Sequence, residues 1–166
     1  MFFNFYIIGS IGGLYERTIL RFIAFSSIAN FGYVLLGLGL ISFEAVIASS
    51  FYFFMYCISM VLFFVVLSFV RNQQTLREIQ YITEVFSLVN YNTLIGFLAI
   101  GSLLSLAGIP PFPGFTAKVL ILQALFIKGH YFIFFFVVLM STLSAVYYVR
   151  FIRMLFFTDN ILIQVL

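Results

Sequence analysis

Lys118 stands ten residues before Lys128 in an otherwise mostly apolar stretch, Thr93 to Ile127, and directly behind a run that no continuous helix can hold, Ser105-Leu106-Ala107-Gly108-Ile109-Pro110-Pro111-Phe112-Pro113-Gly114. Pro110, Pro111 and Pro113 each lack an N–H, and each ring clashes with the carbonyl four residues earlier, so the helical ladder must open near Leu106 to Ile109. Gly108 and Gly114 let the backbone turn there. Opened carbonyls at membrane depth need water or polar partners, which makes the break a natural place for a hydrated pathway. At 1.5 Å per residue Lys118 lies about 15 Å inside the surface marked by Lys128, at the edge of easy snorkelling. Desolvation disfavours the ammonium at that depth, and so does the positive end of a second half-helix beginning at the break. A lysine so placed can load and release a proton. The plainer alternative is a permanently charged Lys118 that snorkels or pairs with a carboxylate of a neighbouring chain.

Two further sets of polar residues share helix faces. Ser26, Asn30 and Tyr33 fall at i, i+4 and i+7, and Ser141, Ser144 and Tyr148 at i, i+3 and i+7, so each set can line one side of a route for protons. Their plainer role is to hold helices together at under about 1 kcal/mol per contact. Gly32, Gly37 and Gly39 suit close helix packing, Glu44 suits a helix start where a carboxylate opposes the dipole, and His130 beside Tyr131 suits a membrane interface. Cys57 is alone in an apolar run and reads as packing. There is no glycine-rich phosphate loop, no cysteine pair and only one histidine, so no cofactor-binding or metal site and no redox chemistry is expected within this chain.

The elements that must position these residues follow from composition. With 64% hydrophobic and 8% charged residues, no folding of this chain covers an apolar core with polar surface in water. Apolar runs of about 20 residues favour helices over barrel strands, giving an all-α integral membrane protein with about five transmembrane helices, one of them discontinuous at residues 107–114. The expected single helical domain, 1–166, comprises a short first helix at 1–15, helices at 22–42 and 45–70, an interfacial amphipathic helix at 75–90, the broken helix at 93–127 and a last helix at 131–157. The 75–90 helix rests on a capping box, Thr75-Leu76-Arg77-Glu78, with apolar residues at Leu76, Ile79, Ile82, Phe86 and Val89. Nothing at Met1-Phe2-Phe3-Asn4-Phe5 reads as a secretory signal or an arginine-rich transit peptide. Twenty-five Phe and ten Tyr against no Trp suit an AT-rich organellar gene and point to the mitochondrial inner membrane, with a bacterial plasma membrane as the alternative.

Charge placement decides how often the broken segment crosses. A single crossing gathers Arg17, Arg21, Arg71, Arg77, Arg150 and Arg153 on one face and leaves Lys128 on the other, whereas two crossings weaken that bias. One broken crossing is the better reading.

Leu104-Ser105-Leu106-Ala107-Gly108-Ile109-Pro110-Pro111 with Gly114-Phe115 and Lys118, and Arg21-Phe22-Ile23-Ala24-Phe25-Ser26-Ser27-Ile28-Ala29-Asn30-Phe31-Gly32-Tyr33, together resemble the antiporter-like subunits of respiratory complex I. Tyr147-Tyr148-Val149-Arg150 adds a third, weaker match to that family's tyrosine-rich helix end. The resemblance implies one half of an inverted-repeat fold, a proton-pathway role for Lys118, and an arginine-rich face toward the mitochondrial matrix or bacterial cytoplasm. It also implies partners among the membrane-arm subunits, with NADH, FMN, iron–sulfur clusters and ubiquinone handled elsewhere in the assembly. Leu20 stands where related subunits commonly have a lysine, and Asn30 where histidine is frequent. The chain resembles the second repeat alone, so the resemblance implies either that another polypeptide supplies the first repeat or that the half-channel is vestigial. Beside a half proton pathway, the open alternatives are a scaffold subunit without transport and a part of a multisubunit cation/proton antiporter.

Overall fold

The computed structural model describes residues 2–16, 18–73 and 93–157, all but a few of them helical. Six helices follow in order: α1 (Phe2–Tyr15), α2 (Ile19–Leu38), α3 (Phe43–Gln73), α4 (Thr93–Ala107), α5 (Pro113–Ile127) and α6 (Tyr131–Phe157). By length and composition Ile19–Leu38, Phe43–Ser68 and Tyr131–Arg153 can each cross a bilayer, while α4 and α5 are too short to do so singly. The amphipathic helix expected at 75–90 lies outside the described residues, as do the side chains of Arg17, Arg71 and Arg77.

Local chemistry sets the boundaries. α2 begins and ends before the 22–42 span expected from hydropathy, because Thr18 is extended and already accepts from the Phe22 N–H, and Gly39 closes the last turn on Leu35. Ile41, at a φ of 46°, turns the chain. Ser42 then caps α3: its carbonyl accepts from the Val46 N–H at 3.0 Å and its hydroxyl from the Ala45 N–H at 3.4 Å. Glu44 sits in that first turn, where a carboxylate opposes the dipole. α3 runs past both ends of the expected 45–70, and α6 covers the expected 131–157. At the end of α5 the lone glycine of a tight stop, Gly129 at φ 74°, lets the Gly129 and His130 N–H groups bond back to Phe126 and Leu125.

The broken pair makes one crossing. Ile95, Ala99 and Leu103 of α4 share an apolar cluster with Phe63 and Val66 late in α3, whereas Ala117, Ile121 and Leu125 of α5 share another with Ala48 and Tyr52 early in α3. Passing from α4 to α5 therefore retraces α3 backwards from one side of the bundle to the other. Arg150 Nη1 donates to the Leu14 carbonyl at 3.0 Å, and Arg21 at the start of α2 lies 4.0 Å from Glu16, so these arginines gather at one end, with Lys128 at the far end of α5. α1 packs tightly on α2 because glycines remove the intervening side chains: a Cβ on Gly9 would strike the Ala29 backbone, and one on Gly32 would meet Tyr6.

Two apolar clusters thus fill the bundle, the first centred on Phe22, Phe63, Leu103 and Phe151, the second on Tyr33, Ile121, Leu125 and Val137. Between them the buried polar residues Ser26, Asn30, Ser105, Lys118 and Ser144 form a layer at mid-depth.

Candidate functional site: the polar layer at the helix break

α4 ends by a complete accounting of its four last carbonyls, which an α-helix leaves without internal partners. Gly108 takes φ 74°, so its N–H bonds Ser105 at 3.1 Å and the Ile109 N–H bonds Leu104 at 3.1 Å, the pairing of a Schellman stop. That leaves Leu106 and Ala107. Lys118 Nζ takes both, donating to the Ala107 carbonyl at 2.7 Å and the Leu106 carbonyl at 3.3 Å. Only 6% of Lys118 is exposed. Among the described residues no carboxylate faces it, and its one set of partners is this pair of carbonyls.

The break itself falls where the sequence places it. α5 starts with Pro113 at its first position, a site where a missing N–H costs nothing, after an extended Phe112. Gly114 lies so near the Ser105 carbonyl that a Cβ would overlap it. The Lys118 stem crosses Gly108, where a Cβ would come within 2.6 Å of Cδ and 3.0 Å of Nζ. Glycine is thus needed at 108 twice over, for its backbone angle and for the lysine above it. The dipole of the second half-helix, expected to act on Lys118, is joined by that of the first: the side chain reaches back, and its ammonium rests on the carbonyls at the negative end of α4.

Beside this pair runs a hydrogen-bonded chain from α6 to α3. Ser26 and Tyr148 share a hydrogen bond between hydroxyls. Asn30 Nδ2 donates to the Ser26 carbonyl at 2.9 Å and to the Tyr148 hydroxyl at 3.2 Å, and its Oδ1 accepts from the Tyr52 hydroxyl at 2.6 Å. Tyr33 touches Tyr52 with ring centroids 5.0 Å apart, and its hydroxyl donates to the Lys118 backbone carbonyl at 3.0 Å. Ser144 is buried; its hydroxyl donates to Ser141 and also meets Tyr6 of α1, whereas Ser141 donates to Val138 within its own helix. Ser26, Asn30 and Tyr148 are brought together as one cluster, Tyr33 joins α2 to α5, and Ser141 stays outside the chain. His130 is exposed at the α5–α6 turn, and Cys57 is half-buried among apolar side chains.

The residues that sequence reasoning missed are on α3 and α4. Ser59 and Ser105 pair through their hydroxyls at 2.8 Å, and a cavity of about 10 Å³ beside them is lined by Tyr52, Tyr56, Ser59, Ser105, Leu106 and Gly114. That is about the room one water needs, though Met55 also lines it and its wall is mostly apolar. It also joins the Tyr52 end of the chain to Leu106, whose carbonyl Lys118 holds. The spacing i, i+4, i+7 that marks Ser26, Asn30 and Tyr33 recurs at Tyr52, Tyr56 and Ser59, a signal present in the sequence. Changing Tyr52 to Phe leaves the buried Asn30 Oδ1 without its donor, and the expected cost is about 1 kcal/mol. It is read as a lower thermal midpoint of the isolated protein, with Phe51→Leu on the same helix as the comparison.

The arrangement can hold a cation at mid-membrane with hydroxyls nearby. Among the described residues no cluster of His, Cys, Asp and Glu gathers in a way that could hold a metal ion.

Comparison with known proteins places this geometry. Residues 5–144 match the family model described as NADH:quinone oxidoreductase/Mrp antiporter, TM. Over 91% of its length the chain is 33% identical to NADH-ubiquinone oxidoreductase chain 2 of Rhizopus oryzae, and over 91% it is 32% identical to NADH-quinone oxidoreductase subunit N of Francisella tularensis. It covers 30% and 31% of those two proteins, and so spans about a third of the curated relatives it matches. Among solved structures, respiratory complex I of Thermus thermophilus contains a chain that superposes with a TM-score of 0.79 at 26% identity, covering 95% of this chain and 35% of that one. The Mrp complex of a Dietzia species contains one that superposes with a TM-score of 0.82 at 26% identity, covering 96% and 29%.

Proposed function

Because the chain belongs to the NADH:quinone oxidoreductase/Mrp antiporter transmembrane family, we propose that it is a membrane-arm subunit of a proton-pumping NADH:ubiquinone oxidoreductase, most like NADH dehydrogenase subunit 2, and supplies half of a proton pathway. The single observation that carries this is Lys118, buried at the helix break with carbonyls as its partners and no carboxylate among the described residues. A buried ammonium without a counter-ion is costly, and that cost lets a change of field nearby decide whether the proton stays. The carbonyls of Leu106 and Ala107 hold the ammonium, and on proton release the neutral amine still donates to one of them. Tyr52, Ser59 and Ser105 line the water-sized cavity through which the proton leaves or arrives, and Asn30 with Ser26 and Tyr148 fixes the Tyr52 hydroxyl in place. NADH, FMN, iron–sulfur clusters and ubiquinone act in other subunits, which drive this one through changes of charge and conformation.

Fold alone does not separate this from a cation/proton antiporter subunit, since the Mrp chain superposes as well. The names of the curated relatives favour the respiratory enzyme. The deciding measurement is proton translocation by sealed vesicles carrying the assembled complex, with and without Lys118 substituted.

In this reading the chain acts in the mitochondrial inner membrane beside the other membrane-arm subunits. A native gel stained for NADH oxidation, followed by mass spectrometry of the active band, is expected to show peptides of this sequence together with those of other membrane-arm subunits. Migration apart from NADH activity would overturn it.

A further inference from the structure

The outer side of the break is the part of the bundle that a lipid bilayer cannot cover. α4 and α5 are 15 residues each, so the turn between them lies about 22 Å from either end and close to mid-membrane. Pro110 and Pro111 are exposed there. None of the described backbone or side-chain donors bonds their carbonyls, and the one hydroxyl nearby in sequence, Thr116, donates instead to Pro113 at 2.8 Å. Hydrocarbon offers no donor, and irregular backbone at this depth persists only against protein or in a water-lined cavity.

A second observation extends this surface. Thr116, Val119, Leu120, Gln123 and Ile127 follow one another at helical spacing and are all exposed, so one face of α5 runs unpartnered from the break to the end of the helix. It ends in a cleft of about 210 Å³ between α5 and the start of α3, whose wall includes Glu44, Ala48, Leu120 and Gln123. Small residues line its floor at Ala48 and Ala124, where a helix backbone can approach closely. A groove with carbonyl acceptors at mid-depth, apolar sides, a small-residue floor and a carboxylate and an amide at its end has the chemistry to seat a helix.

We propose that a transmembrane helix from outside this sequence packs along α5, placing a hydrogen-bond donor side chain against the Pro110 and Pro111 carbonyls and its end in the cleft by Glu44 and Gln123. The chain spans about a third of its curated relatives, so helices of the remaining architecture are at hand to fill this place. The inference concerns packing and does not rest on proton transport: a variant that pumps normally or not at all leaves it untouched.

The test is photo-crosslinking in native membranes, with the photoreactive residue p-benzoylphenylalanine in place of Leu120 and, should that variant fail to assemble, in place of Phe115 at the rim of the break. The expected product is one polypeptide adduct, whose crosslinked peptide is a hydrophobic segment with a polar donor near its middle. Adducts to lipid alone overturn the proposal. A cysteine at Thr116 adds the second arm. It should react with a charged maleimide at least about tenfold more slowly than one at Ile41 in the exposed α2–α3 turn, and equal rates would mean a water-lined groove and also overturn it.

Discussion

Replacing Lys118 by glutamine or by arginine is expected to cut proton translocation several-fold while the subunit remains in its complex. The two variants isolate titration from packing. Both keep N–H donors on the side chain that faces the Leu106 and Ala107 carbonyls, so the end of α4 stays capped, but an amide never carries the proton and a guanidinium never gives it up. Lys118→Ala is a different experiment: it strips the donor from two buried carbonyls at a cost of about 1 to 3 kcal/mol each, so lost pumping there could reflect a collapsed break. The measurement is proton uptake or release per NADH oxidised in sealed vesicles, with the amount of assembled complex read from a native gel. Full translocation by both the glutamine and the arginine variant would leave Lys118 as a helix cap and nothing more, and the scaffold reading would then stand.

Gly114→Ala is expected to be the most damaging single-methyl change in the bundle. The added carbon lands on the Ser105 carbonyl oxygen, and both sides of that contact are backbone, so neither can rotate out of the way. Overpacking a closed site costs about 1 to 3 kcal/mol, and this one belongs at the top of that range or above it. Gly129→Ala supplies the contrast. It has the same positive φ of 74° as Gly108 but nothing within 4 Å, so only the left-handed backbone penalty of about 1 kcal/mol applies. Gly108→Ala should fall between, carrying that penalty and a displaced Lys118 stem. Thermal stability of the purified protein in detergent orders the three; a Gly114→Ala variant as stable as Gly129→Ala would mean the half-helices are not held in contact.

The helix break and its lysine were legible because proline chemistry is local: missing N–H groups and ring clashes act within four residues, and no tertiary contact can restore them. Hydropathy likewise marked the long spans, though it set the end of α2 four residues too late, since the turn beginning at Gly39 is made of residues as apolar as the helix itself. Helical spacing found Ser26, Asn30 and Tyr33 but could not say which hydroxyl faces which. Tyr52 lies 22 residues from Asn30 and Ser59 lies 46 from Ser105, and only the packing of α3 against both its neighbours brings them together. Leu20, where related subunits commonly have a lysine, is 72% exposed in this chain, a placement that helical spacing alone does not give. Ser141 had the right spacing and was placed beyond the chain because a serine in a helix can satisfy itself on the carbonyl behind it.

Asn30 gives the buried layer an electrical character. Protons cross a row of hydroxyls when each oxygen passes on the one it holds and receives another, and every member must be able to both give and take. An amide keeps its two hydrogens on nitrogen and its lone pairs on oxygen. Asn30 accepts from Tyr52 on one side and donates to Ser26 and Tyr148 on the other, so it transmits orientation across α2 but stops charge. In the proposed pathway, charge carried by Lys118 would therefore be confined to the side of α3, α4 and α5, with the aromatic hydroxyls of α6 as a fixed dielectric wall beside it.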